Sequence, residues 1–242
     1  MTRWLIANFE PVSLFSLRTA YGTNKGGKTL LLPTPYSIKM ALLDACFRCY
    51  PPTSAGAEAA LTFQTLKSAE IRLLPPDHCV VNNTFLKILD RDRDSESPFK
   101  QTIAYREFVA FTGELTIAIE CATWNQDQLD QIALLLPHLN TFGKRGSFWQ
   151  FTAMEISTEA LPPSFTVPRA EASPQQILSH LTTQPLDEFG EALINAKDAF
   201  NRLSTYGDGK IELNKHRVLT LTAVPYKRRA ASQSFTWYER TT

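Results

Sequence analysis

The segment from Gly22 to Thr29 matches the phosphate-binding P-loop pattern Gly-x-x-x-x-Gly-Lys-Thr at every position. A P-loop holds phosphate because its backbone N–H groups and the N-terminus of the next helix converge on one anion, so a helix must begin at Lys28-Thr29. Here an apolar run ends in Pro33-Thr34-Pro35, and residues before a proline are disfavoured in the α region. The sequence therefore predicts that the next helix begins near Pro35, too late to complete a nucleotide site.

A nucleotide hydrolase would also need a magnesium-holding carboxylate at the end of an apolar strand. The nearest fit, Phe85 to Asp90, contains a lysine, where a fully buried parallel strand would be apolar. Nucleotide binding is therefore the least favoured interpretation. Two others stay open: a solvated loop, and a loop whose Lys25 and Lys28 contact the phosphates of a nucleic acid.

A second glycine-flanked segment, Gly143-Lys144-Arg145-Gly146, directly precedes the aromatic run from Ser147 to Phe151. Two glycines allow a close backbone approach, and the cations between them can contact phosphates independently of base sequence. Trp149 is a candidate for stacking on a base. The alternative is a glycine that ends a helix, followed by solvated charges.

The densest basic cluster is Tyr226-Lys227-Arg228-Arg229, which we predict to form a turn between two strands. It suits a phosphate grip and a charged, aggregation-resistant strand edge equally well. The segment from Arg91 to Lys100 mixes charges of both signs and is predicted to be the tip of a long hairpin.

Residues suited to catalysis or metal binding are scattered. The four histidines fall in different predicted elements, without a His-x-x-x-His pair or a nucleophile elbow. Cys46 and Cys49 form one C-x-x-C without a second pair at zinc-site spacing, so free thiols are expected. The sequence predicts no catalytic residue, no metal and no cofactor.

Periodicity and prolines define the elements that must position these residues. They are, in order, a strand at Trp4 to Phe9, helices from Pro35 and from Ala55 to about Lys67, strands at Ile71 to Leu74, Val80 to Asp90 and Thr102 to Cys121, a helix capped by Asn125, and a strand at Phe148 to Ile156. The order strand, helix, two strands, helix, strand predicts an α+β ferredoxin-like domain, as in RNA-recognition motifs. This domain spans residues 1–158, with a long hairpin at about 82–106.

Residues 159–242 are predicted to form a helical and β extension. It contains helical windows at Pro174 to Thr183 and Leu186 to Leu203, followed by strands at Lys210 to Leu213, His216 to Val224 and Ser234 to Tyr238.

Composition narrows the class of protein. The chain has 242 residues, is 43% hydrophobic, and carries 25 basic against 24 acidic residues. Any nucleic-acid surface must therefore arise from local clustering of charge. The sequence has no apolar run long enough to span a membrane and no N-terminal signal region, so we expect a cytoplasmic protein without membrane contact.

Two stretches carry a resemblance to a known family: Leu32-Pro33-Thr34-Pro35-Tyr36-Ser37 with the helix that follows, and Asn140 to Ser147. Together they resemble the Cas5 family of type I CRISPR effector complexes, most closely its I-A and I-B group, over roughly residues 1–156. The resemblance implies a ferredoxin-like RAMP fold and a non-catalytic subunit that caps the 5′ handle of the CRISPR RNA (crRNA). It further implies contacts with a Cas7 backbone subunit, a Cas8-type large subunit and, in the assembled complex, target DNA.

On this resemblance, several cations are expected to contact the handle backbone: Arg18, Lys25, Lys28, Lys144, Arg145, Lys227, Arg228 and Arg229. Trp149 and Tyr226 would stack on bases. The resemblance also implies that the hairpin at about 82–106 is the thumb of the family, which Arg91, Arg93 and Lys100 would serve. The alternative is an endoribonuclease that processes precursor crRNA, like Cas6 or the I-C type of Cas5. The Tyr, Lys and His trio of the I-C type is not matched, because Arg145 follows Lys144.

Overall fold

The computed structural model describes residues 2–21, 26–91, 99–204 and 209–241. Its strands are β1 (Trp4–Pro11), β2 (Leu17–Arg18), β3 (Gly26–Gly27), β4 (Thr29–Leu30), β5 (Ile71–Leu74), β6 (His78–Arg91), β7 (Phe99–Phe111), β8 (Leu115–Glu120), β9 (Trp149–Ser157), β10 (Val167–Pro168), β11 (Thr182–Phe189), β12 (Arg217–Val224), β13 (Tyr226–Ala231) and β14 (Phe235–Arg240). Its helices are α1 (Pro35–Cys49), α2 (Ala55–Leu66), α3 (Gln126–Leu135), α4 (Pro174–Ser179), α5 (Glu191–Ile194) and α6 (Ala199–Arg202).

A four-stranded antiparallel sheet in the order β5-β8-β1-β9 forms the centre of the molecule. Alternate residues of β1 enter the main core: Leu5, Ala7 and Phe9 are 1% exposed or less. They share that core with apolar residues of α1 and α3, as the period of two along a half-buried strand requires. The predicted helices and strands of this part of the chain are confirmed, except that the single strand predicted from Thr102 to Cys121 is divided into β7 and β8 at Gly113, whose φ of 142° interrupts the strand.

Local capping explains where the two main helices begin. The Thr34 hydroxyl accepts a hydrogen bond from the Ser37 backbone N–H, and the Ser37 hydroxyl accepts one from the Thr34 backbone N–H, with Pro35 in the first turn. Asn125 and Gln128 form the same reciprocal cap on α3. Such caps satisfy N–H groups that lack partners within the helix, so helix α1 begins at Pro35, as predicted.

A long hairpin extends from a second sheet. Strands β6 and β7 pair from Cys79 opposite Phe111 to Arg91 opposite Phe99, which confirms the predicted hairpin. The sheet has five strands in the order β13-β14-β6-β7-β3, and only β3 runs parallel to its neighbour, β7. The sheet therefore joins residues from the two ends of the described chain.

The region after residue 159 differs most from the prediction. Instead of a helix from Leu186 to Leu203, the chain forms β11 and two single-turn helices, because β11 pairs along its whole length with β12. Pro185 is tolerated because β11 lies at the edge of the three-stranded sheet β10-β12-β11. No described strand covers Lys210 to Leu213, where only an isolated bridge joins Leu213 to Arg217.

The basic cluster at 226–229 was also predicted wrongly as a turn. It lies within β13, which pairs with β14 at the edge of the five-stranded sheet. The molecule thus combines helices with mostly antiparallel sheets, as expected for an α+β chain. The division at residue 158 stays a prediction. No described helix is long and apolar enough to cross a membrane.

Candidate nucleic-acid interface

A pocket of about 370 Å³ lies beside the first turn of α1. We call it the α1 pocket. Two cations predicted to bind RNA line it, Arg18 from β2 and Lys144 from the loop before β9, together with Thr34, Ser37 and Gly143. Ligand pockets commonly occupy roughly 300–1,000 Å³. The fold therefore brings two distant parts of the sequence to one concave site.

Buried hydrogen bonds fix the loop that carries Lys144. The Ser147 hydroxyl lies 3.2 Å from both the backbone nitrogen and the backbone oxygen of Ser16, accepting from the first and donating to the second. Gly143 has a φ of 82°, in the left-handed region that favours glycine. A Cβ on Gly143 would lie 3.6 Å from the Ser37 Cβ, so the loop passes close to the start of α1.

The opposite wall depends on the short β2–β4 ladder. Arg18 stands opposite Thr29, and the Thr29 hydroxyl accepts a 2.8 Å hydrogen bond from the Leu17 backbone. The Thr29 N–H donates to the Glu107 carboxylate at 2.9 Å. Lys28, directly before Thr29, is exposed. The residues of the P-loop pattern thus lead into a strand and not a helix, while Gly22 to Lys25 lie outside the described residues.

Positive charge predominates at the α1 pocket. Arg18, Lys144 and Arg217 line it with one carboxylate, Asp187, and Asp187 is ion-paired with Arg217. The positive end of the α1 dipole adds to this charge. Lys144 and Arg145 are exposed, and no ion pair joins either to the described residues. The pocket is therefore suited to an anion such as a backbone phosphate.

Sequence reasoning missed the contribution of β12 and β11 to this pocket. The Arg217 guanidinium lies 4.5 Å from the centre of the Tyr36 ring, and burial raises the pKa of Tyr36 while Arg217 partly offsets that effect. Arg217 and Asp187 are far from Arg18 in sequence, and no local pattern marks them. Only the pairing of β11 with β12 brings Arg217 and Asp187 to the pocket, and that pairing is not visible in the local sequence.

A buried ion pair holds α1 against β11. The Lys39 amine lies 3.0 Å from the Glu188 carboxylate, and the Lys39 side chain is only 1% exposed. Burial lowers the pKa of Lys39 and raises that of Glu188. Because an unpaired buried charge is costly, the buried Lys39 amine depends on Glu188, and the pair joins α1 to β11.

Both predicted stacking rings lie in the core, which corrects that prediction. Trp149 is 2% exposed and packs among Phe15, Phe111 and Phe142. Tyr226 is fully buried, and its hydroxyl donates to the Pro76 carbonyl at 2.8 Å. Neither ring can stack on a base without leaving the core. Phe148, next to Trp149, points outward and is 50% exposed.

The remaining predicted cations do not line the α1 pocket. Lys227, Arg228 and Arg229 are exposed on the edge strand β13, where Arg229 is ion-paired with Glu239. In the thumb, Lys100 is exposed opposite Asp90. Lys25, Arg93 and the side chain of Arg91 lie outside the described residues. The RNA-binding roles of all these cations stay predictions.

None of the four histidines lines the α1 pocket. His180 is buried, with Nε2 at 3.0 Å from the Phe165 carbonyl oxygen, and burial lowers its pKa. His216 is buried and accepts a hydrogen bond at Nδ1 from the Glu212 N–H. Across the part of the chain that the structure describes, no three His, Cys, Asp or Glu residues form a group that could hold a metal ion.

Comparison with known proteins gives one clear sequence relative. No known family profile matches the chain. A curated protein from Archaeoglobus fulgidus named CRISPR-associated protein Cas5 is 24% identical over 206 residues, which cover 84% of this chain and 85% of the relative. The chain is similar to a Cas5 protein. This similarity supports a CRISPR-associated protein of the Cas5 type, and the assignment to the I-A and I-B group stays a prediction.

Solved structures show looser likenesses. A CRISPR protein from Archaeoglobus fulgidus aligns with 99% of this chain and 92% of its own at a TM-score of 0.44 and 11% identity. A chain of the type III-B Cmr-beta complex bound to cognate target RNA aligns with 64% of this chain and 60% of its own at a TM-score of 0.45 and 11% identity. The support for a Cas5-type protein comes from the sequence relative.

Proposed function

We propose that the protein is a non-catalytic, RNA-binding subunit of a CRISPR effector complex. The similarity to Cas5 supports the CRISPR association. The observation that carries RNA binding is the convergence of Arg18 and Lys144 on one pocket whose other walls are the start of α1 and the turn at Gly143. Two cations and a close backbone approach suit a phosphate of an RNA strand.

The finer proposal follows the resemblance in the sequence. The protein would cap the 5′ handle of crRNA in a type I Cascade complex, beside a Cas7 backbone subunit and a Cas8-type large subunit, for recognition of target DNA. The sheet order β5-β8-β1-β9, with two helices packed on one face, supports a ferredoxin-like RAMP domain. The hairpin β6–β7 would be the thumb that reaches toward the neighbouring subunit.

Charge reversal at the loop tests RNA binding. We expect Lys144→Glu with Arg145→Glu to abolish copurification of guide RNA with the coexpressed complex, because phosphate contacts become repulsive. The matched control is Arg169→Glu with Lys197→Glu, since these cations are also exposed but do not line the α1 pocket. Unchanged RNA content in the Lys144 and Arg145 variant, with the complex intact, would show that these two residues do not bind the guide RNA.

The absence of catalysis is tested separately. The purified chain would be incubated with a repeat hairpin without added metal, beside variants in which each histidine is replaced by alanine. General acid–base cleavage needs a poised group within about 3 Å of the proton it moves. We expect intact RNA throughout. Cleavage that one histidine variant loses would favour the endoribonuclease alternative.

A further inference from the structure

One face of the five-stranded sheet carries aromatic rings that do not enter the core. Phe235 stands opposite Asn82 on β6, and Asn82 stands opposite Phe108 on β7. Trp237 likewise stands opposite Val80. Directly opposite residues point to the same side of a sheet, so these side chains share one face. We call it the outer face.

The other side of the same strands is buried. Cys79 is fully buried, and its neighbours across the sheet, Tyr238 and Phe111, pack against the main core. Phe235 and Trp237 are each 37% exposed. The Trp237 ring lies 5.8 Å from the His78 ring of the neighbouring strand β6. The outer face is therefore open to a ligand.

Cations border the outer face. On the free edge strand β13, Lys227 stands opposite Glu239 of β14 and Arg229 is ion-paired with that residue, whereas Arg228 stands opposite Tyr238 on the buried side. On the other side, Arg106 lies beside Phe108 on β7, and its side chain crosses the backbone of Gly27 in the opposite edge strand. Glu239, which is ion-paired with Arg229, is the carboxylate facing this group. The rim is thus predominantly positive.

We propose that the outer face binds single-stranded RNA, with bases stacked on Phe235 and Trp237 and phosphates held by Lys227 at its edge. This proposal rests on the proposed function and adds a base-contacting surface that the α1 pocket lacks. Exposed rings beside a cationic edge are the combination that binds single strands without sequence preference. The centres of protein–protein interfaces are instead depleted of charge.

The spacing of the two rings specifies the form of the strand. Residues two apart on a strand are separated by roughly 7 Å, about twice the ~3.4 Å between stacked nucleotides. Bases stacked on each other could not each meet a ring. The outer face therefore takes an extended strand with splayed bases, as single-stranded RNA is commonly recognised.

Intrinsic fluorescence provides a direct readout. The other three tryptophans, Trp4, Trp124 and Trp149, are 2–8% exposed, so a base that stacks on a tryptophan surface meets Trp237. We expect a 15-nucleotide oligouridylate to quench part of the wild-type tryptophan emission. Trp237→Phe should remove that quenching while retaining affinity within about threefold, because phenylalanine also presents a ring to a base.

The affinity of the outer-face variants for RNA is the main test of the proposal. We expect Phe235→Ala with Trp237→Ala to lower the affinity of the full chain for fluorescein-labelled oligouridylate by about tenfold or more. Phe47→Ala with Leu134→Ala, which removes exposed apolar side chains from α1 and α3, should leave it unchanged. Circular dichroism would verify that each variant is folded.

Two outcomes would overturn the proposal while leaving the proposed function in place. In the first, the Phe235 and Trp237 variant binds as the wild type does, while Lys144→Glu with Arg145→Glu loses binding. In the second, the aromatic variant retains RNA affinity but loses a dimer that light scattering detects in the wild type, which makes the outer face a contact between copies. Loss of oligouridylate binding in the charge variant alone supports only the α1 pocket.

Discussion

The α1 pocket and the outer face both present cations, but they differ in what surrounds those cations. The pocket is concave, with Gly143 and the first turn of α1 close to Lys144, and its large rings face the core. The outer face is a sheet surface on which Phe235 and Trp237 are exposed. Charge without rings suits phosphates, whereas charge beside rings suits bases as well.

The largest effect expected from this contrast concerns stability. Trp149→Ala should lower the free energy of unfolding by about 3–5 kcal/mol, because it removes a large ring from the packed aromatic cluster behind the pocket. Trp237→Ala should cost about 1 kcal/mol or less, as expected of a surface substitution. Urea unfolding of both variants measures the difference. Equal losses would show that the outer face is structural.

The next effect separates the two surfaces by their response to salt. Removing two phosphate contacts with Arg18→Gln and Lys144→Gln should reduce the slope of log affinity against log salt by about 1.4, given a slope of about −0.7 per phosphate for a single strand. Phe235→Ala with Trp237→Ala should weaken binding and leave that slope unchanged. Anisotropy titrations between 50 and 200 mM salt, roughly the range over which such contacts weaken, test both. A changed slope in the aromatic variant would contradict the distinction.

The smallest expected effect is a gain in affinity for RNA. Glu239→Gln removes the carboxylate paired with Arg229 and should raise affinity for oligouridylate by about two- to threefold, since exposed ion pairs contribute at most about 1 kcal/mol. Glu171→Gln, which removes an exposed partner of Arg72, is the control with the same change of charge. Weaker binding in Glu239→Gln would mean that the edge of the outer face does not meet phosphate.

Local signals account for what the sequence predicted well. Thr34, Pro35 and Asn125 define the starts of α1 and α3 through interactions within a single turn. These caps are readable without the rest of the fold. The rejection of the P-loop rested on the same signals, and Thr29 does lie in a strand.

The failures involve partners that are distant in the sequence. The local pattern from Leu186 to Leu203 predicts a helix, but its first residues pair with β12. The 226–229 cluster was predicted as a turn, but it pairs with β14. Phe148 and Trp149 show that even the inward-facing side of a single strand cannot be predicted from the strand alone. Alternation along a strand requires one to face inward, but only the packing of the other elements decides that it is Trp149.

The pairing of β14 with β6 has a consequence for synthesis of the chain. Asn83 and Gln233, which are hydrogen-bonded across this junction, are 150 residues apart in the sequence. At roughly 5–20 residues per second, the ribosome exposes β6 for about 8–30 s before its neighbour exists. An unpaired strand edge is a template for aggregation. The nascent protein must therefore keep this edge from other chains, which makes slow translation or chaperone shortage a hazard for assembly of the five-stranded sheet.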